Sequence, residues 1–236
     1  MKPTIGFNRH LEMTWLTQTA VLAASGLTGA ELKKHIDNLL ASAFTSQVAM
    51  DKTRNLLFGI WNSQSKSVPQ RFQQRACQLL LNHSENSLVL HWGLLIAKYP
   101  FFYFVVLQLG RIARHDGVFL YSQLEQRVTE EFGDTSTIKR SMQFVVRTLV
   151  NLEILSNPKM GMYQLRKPLT LTSAELIAWL AEAVIHANDE KSRSLDRINN
   201  DPALFPFDIF FKEDNLVGST TLDLYHQASD IVVFIN

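Results

Sequence analysis

Arg140, Gln143, Arg147 and Asn151 recur at intervals of three and four residues, the spacing that gathers side chains on one face of an α-helix. All four are long hydrogen-bond donors. Guanidinium forks fit phosphate oxygens and guanine edges, and carboxamides fit adenine edges. Lys139 flanks this face. At 100° steps Ile138, Met142, Val145, Leu149 and Leu152 cluster on the opposite side, so the helix can dock through one face while the other reaches phosphates or base edges in a major groove. Phe144 falls toward the polar side, and we expect it to pack against the N-terminal helices. Lys159 in the next turn and Arg166 and Lys167 beyond it continue the basic character.

A second basic run holds Lys52, Arg54, Lys66, Arg71 and Arg75, with no Asp or Glu between Lys52 and Asn82. Residues 134–167 carry six bases against two acids, whereas 189–215 carry four against seven. The net charge of +1 therefore hides local patches suited to phosphates.

Other chemistry is poorly represented. No Gly-rich phosphate loop, dinucleotide fingerprint, HExxH or GxSxG motif is present. Cys77 is the single cysteine, which excludes an internal disulfide and fits a reducing cytoplasm. It has no identifiable His partner, so it reads as a small core residue. Asp208, Lys212, Glu213 and Asp214 lack the spacing of a nuclease metal site and read as an acidic surface turn. His35, His91 and His186 each fall inside expected helices. We expect a non-catalytic protein with no cofactor, no metal and no small-molecule substrate.

The elements that must position the basic face can be read from periodicity. The N-terminal part is expected to be helical: "HLEMTWLTQTAVLAAS" places Leu11, Trp15, Thr19 and Leu22 on one side. In "TGAELKKHIDNLL" Thr28 and Glu31 have capping-box spacing. "TSQVAMDKTRNLLFGIW" aligns Val48, Lys52, Leu56 and Ile60, and "VPQRFQQRACQLLLN" opens on Pro69. Then come a greasy helix from Phe101, a break at "HDG", a helix over "FLYSQLEQRVTEEFG" and the short turn "DTST". The basic helix "TIKRSMQFVVRTLVNLEIL" and a Pro- and Gly-containing hairpin follow. Helix, helix, turn, helix, hairpin is the order of a winged helix-turn-helix. Beyond it, "LTSAELIAWLAEAVIHAN" reads as a helix capped by Thr172 or Ser173. "DEKSRSLDRINNDP" reads as a surface segment, and "FPFDIFF" and "SDIVVFIN" as short strands.

The apolar run "AKYPFFYFVVLQLGRIAR" sets the membrane question. Between Lys98 and Arg111 it offers 12 uncharged residues, about 18 Å of helix, against the roughly 20 residues needed to span a bilayer. Pro100 divides it from the apolar helix before it. Two buried helices meeting at Tyr99 and Pro100 are expected, and the opening residues carry no apolar stretch with a cleavage site, so we expect no secretory signal.

The paired segments "LVLHWGLLIAKYPFFYFVVLQLG", broken at "KYPF", together with "TIKRSMQFVVRTLVNLEILS" and "DLYHQASDIVVFIN", resemble the BrxA family of bacteriophage-exclusion (BREX) defence systems over most of the chain. The resemblance implies a mostly helical cytoplasmic protein with helix-turn-helix character. It implies double-stranded DNA and other BREX components as partners, and no membrane. It supplies no site residues. The expected fold is mainly α: a helical bundle over 1–98, a winged helix-turn-helix-like domain over 99–168 and a small α+β extension over 169–236. An interaction or scaffold subunit of a defence complex and a winged-helix transcriptional regulator are the alternatives.

Overall fold

The computed structural model describes residues 5–62, 68–227 and 230–236. Four helices come first: α1 (Met13–Ala24), α2 (Gly29–Leu40), α3 (Gln47–Asn62) and α4 (Gln70–Asn82). Next are the apolar pair α5 (Ser87–Lys98) and α6 (Pro100–Ile112). Then β1 (Val118–Leu120), α7 (Tyr121–Phe132), α8 (Ser136–Asn151), β2 (Leu155–Lys159) and β3 (Met162–Leu165) run without a long break. The remainder contains β4 (Leu169–Thr170), α9 (Ala174–Ala187), β5 (Ser192–Ser194), α10 (Leu195–Asn199), β6 (Phe207–Asp208), α11 (Glu213–Leu216), β7 (Leu222–Gln227) and β8 (Asp230–Ile235).

α5 and α9 form the centre. α5 is buried from Val89 to Ala97 and α9 from Leu176 to His186, as befits helices whose apolar residues run round most of their circumference. They pack along each other, with α3 and α4 against α5 and with α4, α10 and α11 against α9. Gly93 permits the close crossing, because a Cβ there would overlap the Trp179 ring. That ring stacks on Phe72 at 4.5 Å, and its Nε1 donates to the Phe72 carbonyl at 3.2 Å. Trp92 Nε1 likewise donates to the Ala203 carbonyl at 3.1 Å. The segment after residue 168 thus enters the core rather than extending from its edge. The terminal sheet, in the order β5-β8-β7, joins that core through Leu222 and Val233 and exposes Tyr225 and Phe234.

α5 and α6 meet at a bend of 113° around Tyr99, and no single helix among the described residues is long and apolar enough to cross a membrane. The apolar run is core: Phe101, Phe102, Val105, Val106 and Leu109 are fully buried. α6 supports α7, α8 and β1. β1 pairs antiparallel with β3, which pairs antiparallel with β2, giving the sheet order β1-β3-β2. Gly133 ends α7 with φ +97°, and Gly161 turns the hairpin with φ +76°, both conformations costly for a residue with a Cβ.

Several local expectations change. Leu11 precedes α1 instead of lying within it, because side chains of α8 take its backbone groups. Thr28 occupies the residue before α2 but makes no capping bond; Asn62 Oδ1 accepts from Gly29 N at 3.2 Å instead. Val48 and Lys52 are exposed, and α3 buries Thr53, Leu56, Leu57, Ile60 and Trp61. Leu120 is half-exposed in β1 rather than aligned with Leu124 and Val128 in α7. The acidic segment near Asp189 contributes β5 and α10, since Ser192–Ser194 complete the terminal sheet.

Candidate nucleic-acid interface

The side chains best suited to bind an anion project from α8. Thr135 caps this helix, its side chain accepting from Ile138 N at 3.3 Å. Ile138, Met142, Val145 and Leu149 are buried on its inner face, with Leu152 buried just beyond its end. Arg140, Gln143 and Arg147 are exposed on the other face. Neither arginine forms an ion pair with a carboxylate among the described residues. Lys139 differs: it meets Asp134 at 2.7 Å and Glu125 at 3.3 Å, and these acids raise its pKa. Asn151 is committed internally, donating through Nδ2 to the Leu11 carbonyl at 2.9 Å.

The hairpin places Lys159 at the end of β2, beside the strongly exposed Met160 at the turn. Lys167 is exposed. Arg166 meets Glu153 at 3.4 Å, with both side chains largely in solvent, a contact of little energetic weight.

The second basic run does not form one free surface. Arg54 lies 3.0 Å from Asp37 and 2.9 Å from Asp51. Arg75 points inward and pairs with Glu182 and Thr221. Lys52 and Arg71 are exposed, and Lys66 lies outside the described residues. Burial alone would raise the Glu182 pKa, but His186 Nε2 at 3.4 Å and hydrogen bonds from Arg75 and Thr221 prevail and hold the carboxyl below its usual range. Here Arg75 neutralises a buried acid.

Phe144 is half-buried under a segment that sequence spacing does not connect to it. Arg9 lies over its ring at 5.6 Å and Arg140 at 5.7 Å, and the His10 ring lies 6.2 Å away. Burial lowers the His10 pKa, and Arg147 and Arg9 lower it further. Arg9 and His10 therefore belong to the α8 surface. Their only sequence signal was a cation and an imidazole ahead of the first helix, with nothing to specify where they dock.

The catalytic alternatives are dispersed. Burial pushes the Cys77 thiol up to about 11, the opposite of an activated nucleophile. Asp208 is exposed in β6, Lys212 precedes α11, and Glu213 accepts from His226 at 3.0 Å. His35 is exposed on α2, whereas His91 and His186 are buried. Among the described residues no group of His, Cys, Asp or Glu is arranged to hold a metal ion. The chain matches no family model, no curated protein and no solved structure.

Proposed function

We propose that this chain binds duplex DNA as a non-catalytic accessory protein. The two exposed, acid-free arginines of α8, about two turns apart on a helix buried along its other side, carry this reading. The order α6, β1, α7, α8, β2, β3 with sheet order β1-β3-β2 supports a winged helix-turn-helix, with α8 as the helix that enters the major groove. Arg140, Gln143 and Arg147 face the groove, and Lys159 and Lys167 contact the neighbouring backbone. Arg54, Arg75 and Asn151 leave the contact set, because each is committed within the protein. The resemblance of the segments quoted above to the BrxA family supports a role in BREX phage defence, in the cytoplasm beside other BREX components, as part of this proposal.

The deciding measurement is anisotropy of labelled random-sequence duplex across a salt series, with single-stranded DNA as control. Affinity falling steeply with salt, and a weaker, flatter dependence in Arg140→Ala/Arg147→Ala at unchanged thermal stability, support the assignment. Unchanged affinity in the double variant overturns it.

A protein-interaction role is favoured by a different feature. Tyr225 and Phe234 are exposed on the terminal sheet, and Phe210 and Val217 on the loops beside it. Salt-insensitive co-purification with a defence component, without DNA affinity, selects that reading.

A further inference from the structure

The segment Phe7–Leu11 is pinned at both ends and crosses the polar face of α8 between them. Phe7 is fully buried, its ring 5.2 Å from Phe102 and 5.9 Å from Tyr99. Leu11 is fully buried too. Its N–H donates to Thr148 Oγ1 at 3.0 Å, and its carbonyl accepts from Asn151 at 2.9 Å. Both partners lie on α8. The anchors leave Asn8, Arg9 and His10 to bridge the span above Phe144.

The resulting cluster is electrostatically unbalanced. The Phe144 ring serves two guanidiniums, Arg9 and Arg140. Arg147 lies near enough to His10 to oppose its protonation. Among the described residues Arg9 makes one hydrogen bond, to the adjacent Asn8 carbonyl, and its Nε is buried without a partner there, as is His10 Nδ1. No carboxylate pairs with Arg9, Arg140 or Arg147 among the described residues. Like charges collected on one aromatic plate, with no acid to relieve them, are complementary to an anion.

We infer that the docked segment Phe7–Leu11 is the second half of the DNA interface, with Arg9 a phosphate contact held beside Arg140 by Phe144. This rests on the DNA reading of α8, and it adds a cation from 131 positions earlier in the chain than Arg140. Phe144 then has a defined role: it is a platform on the polar side of the helix that fixes two flexible side chains before binding, which lowers the entropy lost on contact. Lys139 is not a substitute for Arg9, because Asp134 and Glu125 already engage it.

The test compares Arg9→Ala, Phe144→Leu and Arg140→Ala/Arg147→Ala in the full chain, using labelled random duplex over a salt series and a thermal melt of each variant. Arg9→Ala should weaken binding severalfold and reduce the slope of log affinity against log salt by about 1. Its melting temperature should stay unchanged, because Phe7 and Leu11 still anchor the segment. Phe144→Leu should weaken binding while leaving the slope nearly intact, since both charges remain. An Arg9→Ala protein with wild-type affinity, beside a double variant that binds poorly, overturns the inference and leaves the α8 reading standing. Wild-type affinity in all three variants, or no duplex binding by the unaltered protein, removes the underlying reading itself.

Discussion

Individual charges in this protein derive their roles from distant partners. Arg75 is an arginine in an acid-free stretch, yet its guanidinium neutralises Glu182, which is almost wholly buried. Removing it strands a carboxylate in the core, so Arg75→Ala should cost about 3–5 kcal/mol of stability, read from urea unfolding. Lys52→Ala, at an exposed position, should leave the midpoint unchanged. His91 makes a second prediction. Burial lowers its pKa from 6.5 to about 3, so between those values the unfolded chain holds the proton that the folded chain refuses. Stability contributed by neutral His91 therefore falls as pH drops from 6.5 toward 3, by up to about 1.4 kcal/mol per unit. Urea midpoints at pH 7, 5.5 and 4 should decline less steeply in His91→Gln than in the wild type; parallel declines would show that His91 does not govern the effect. Neither role was legible in the sequence. The partner of Arg75 lies 107 positions away, and spacing cannot reveal which helical histidine loses its water.

Amphipathic helices were the readable elements. The inner face of α8 follows directly from its apolar spacing, and its Thr135 cap is one of the side chains in the "DTST" turn. Thr135→Ala should cost about 1 kcal/mol through loss of that cap, measured by thermal or urea unfolding. Elements defined by tertiary pairing were not readable. β1 is three residues long and exists because β3 lies beside it; alone, Leu120 continues the helical pattern of α7. The apolar residues of α9 run round the helix, with Glu182 and His186 buried among them, so its periodicity does not show which neighbour it meets. That neighbour is α5, and the crossing depends on Gly93. Its substitution by Ala would force a methyl into the Trp179 ring, which Phe72 and a hydrogen bond hold in place. Gly93→Ala should destabilise by about 1–3 kcal/mol through overpacking. A wild-type melting temperature would show that the helices can separate without cost.

Over the whole molecule, the apolar composition of α5, α6 and α9 serves one continuous core, which is why a run that resembles a short membrane segment ends as a pair of bent, buried helices. Chain order suggests a bundle, a DNA-binding unit and an extension. The contacts cross those divisions: α9 covers α5, the turn at Pro202–Leu204 packs on α6, Thr221 joins the Arg75–Glu182 pair, and Leu11 is held by α8. A chain ending at residue 168 would uncover the apolar surface of α5 and remove the buried acid that Arg75 requires. It would also take away the Ala203 carbonyl that accepts from Trp92. Such a chain should lose the cooperative thermal transition and near-ultraviolet signal of the full protein while retaining helical far-ultraviolet absorption, the behaviour of a loosened core. Removing the C-terminal strands alone, from residue 222, leaves α5 and α9 paired and should preserve a cooperative transition. Equal loss in both truncations would place the stabilising contacts in the terminal sheet, whereas a sharp transition in the chain ending at 168 would make the N-terminal two-thirds an autonomous folding unit.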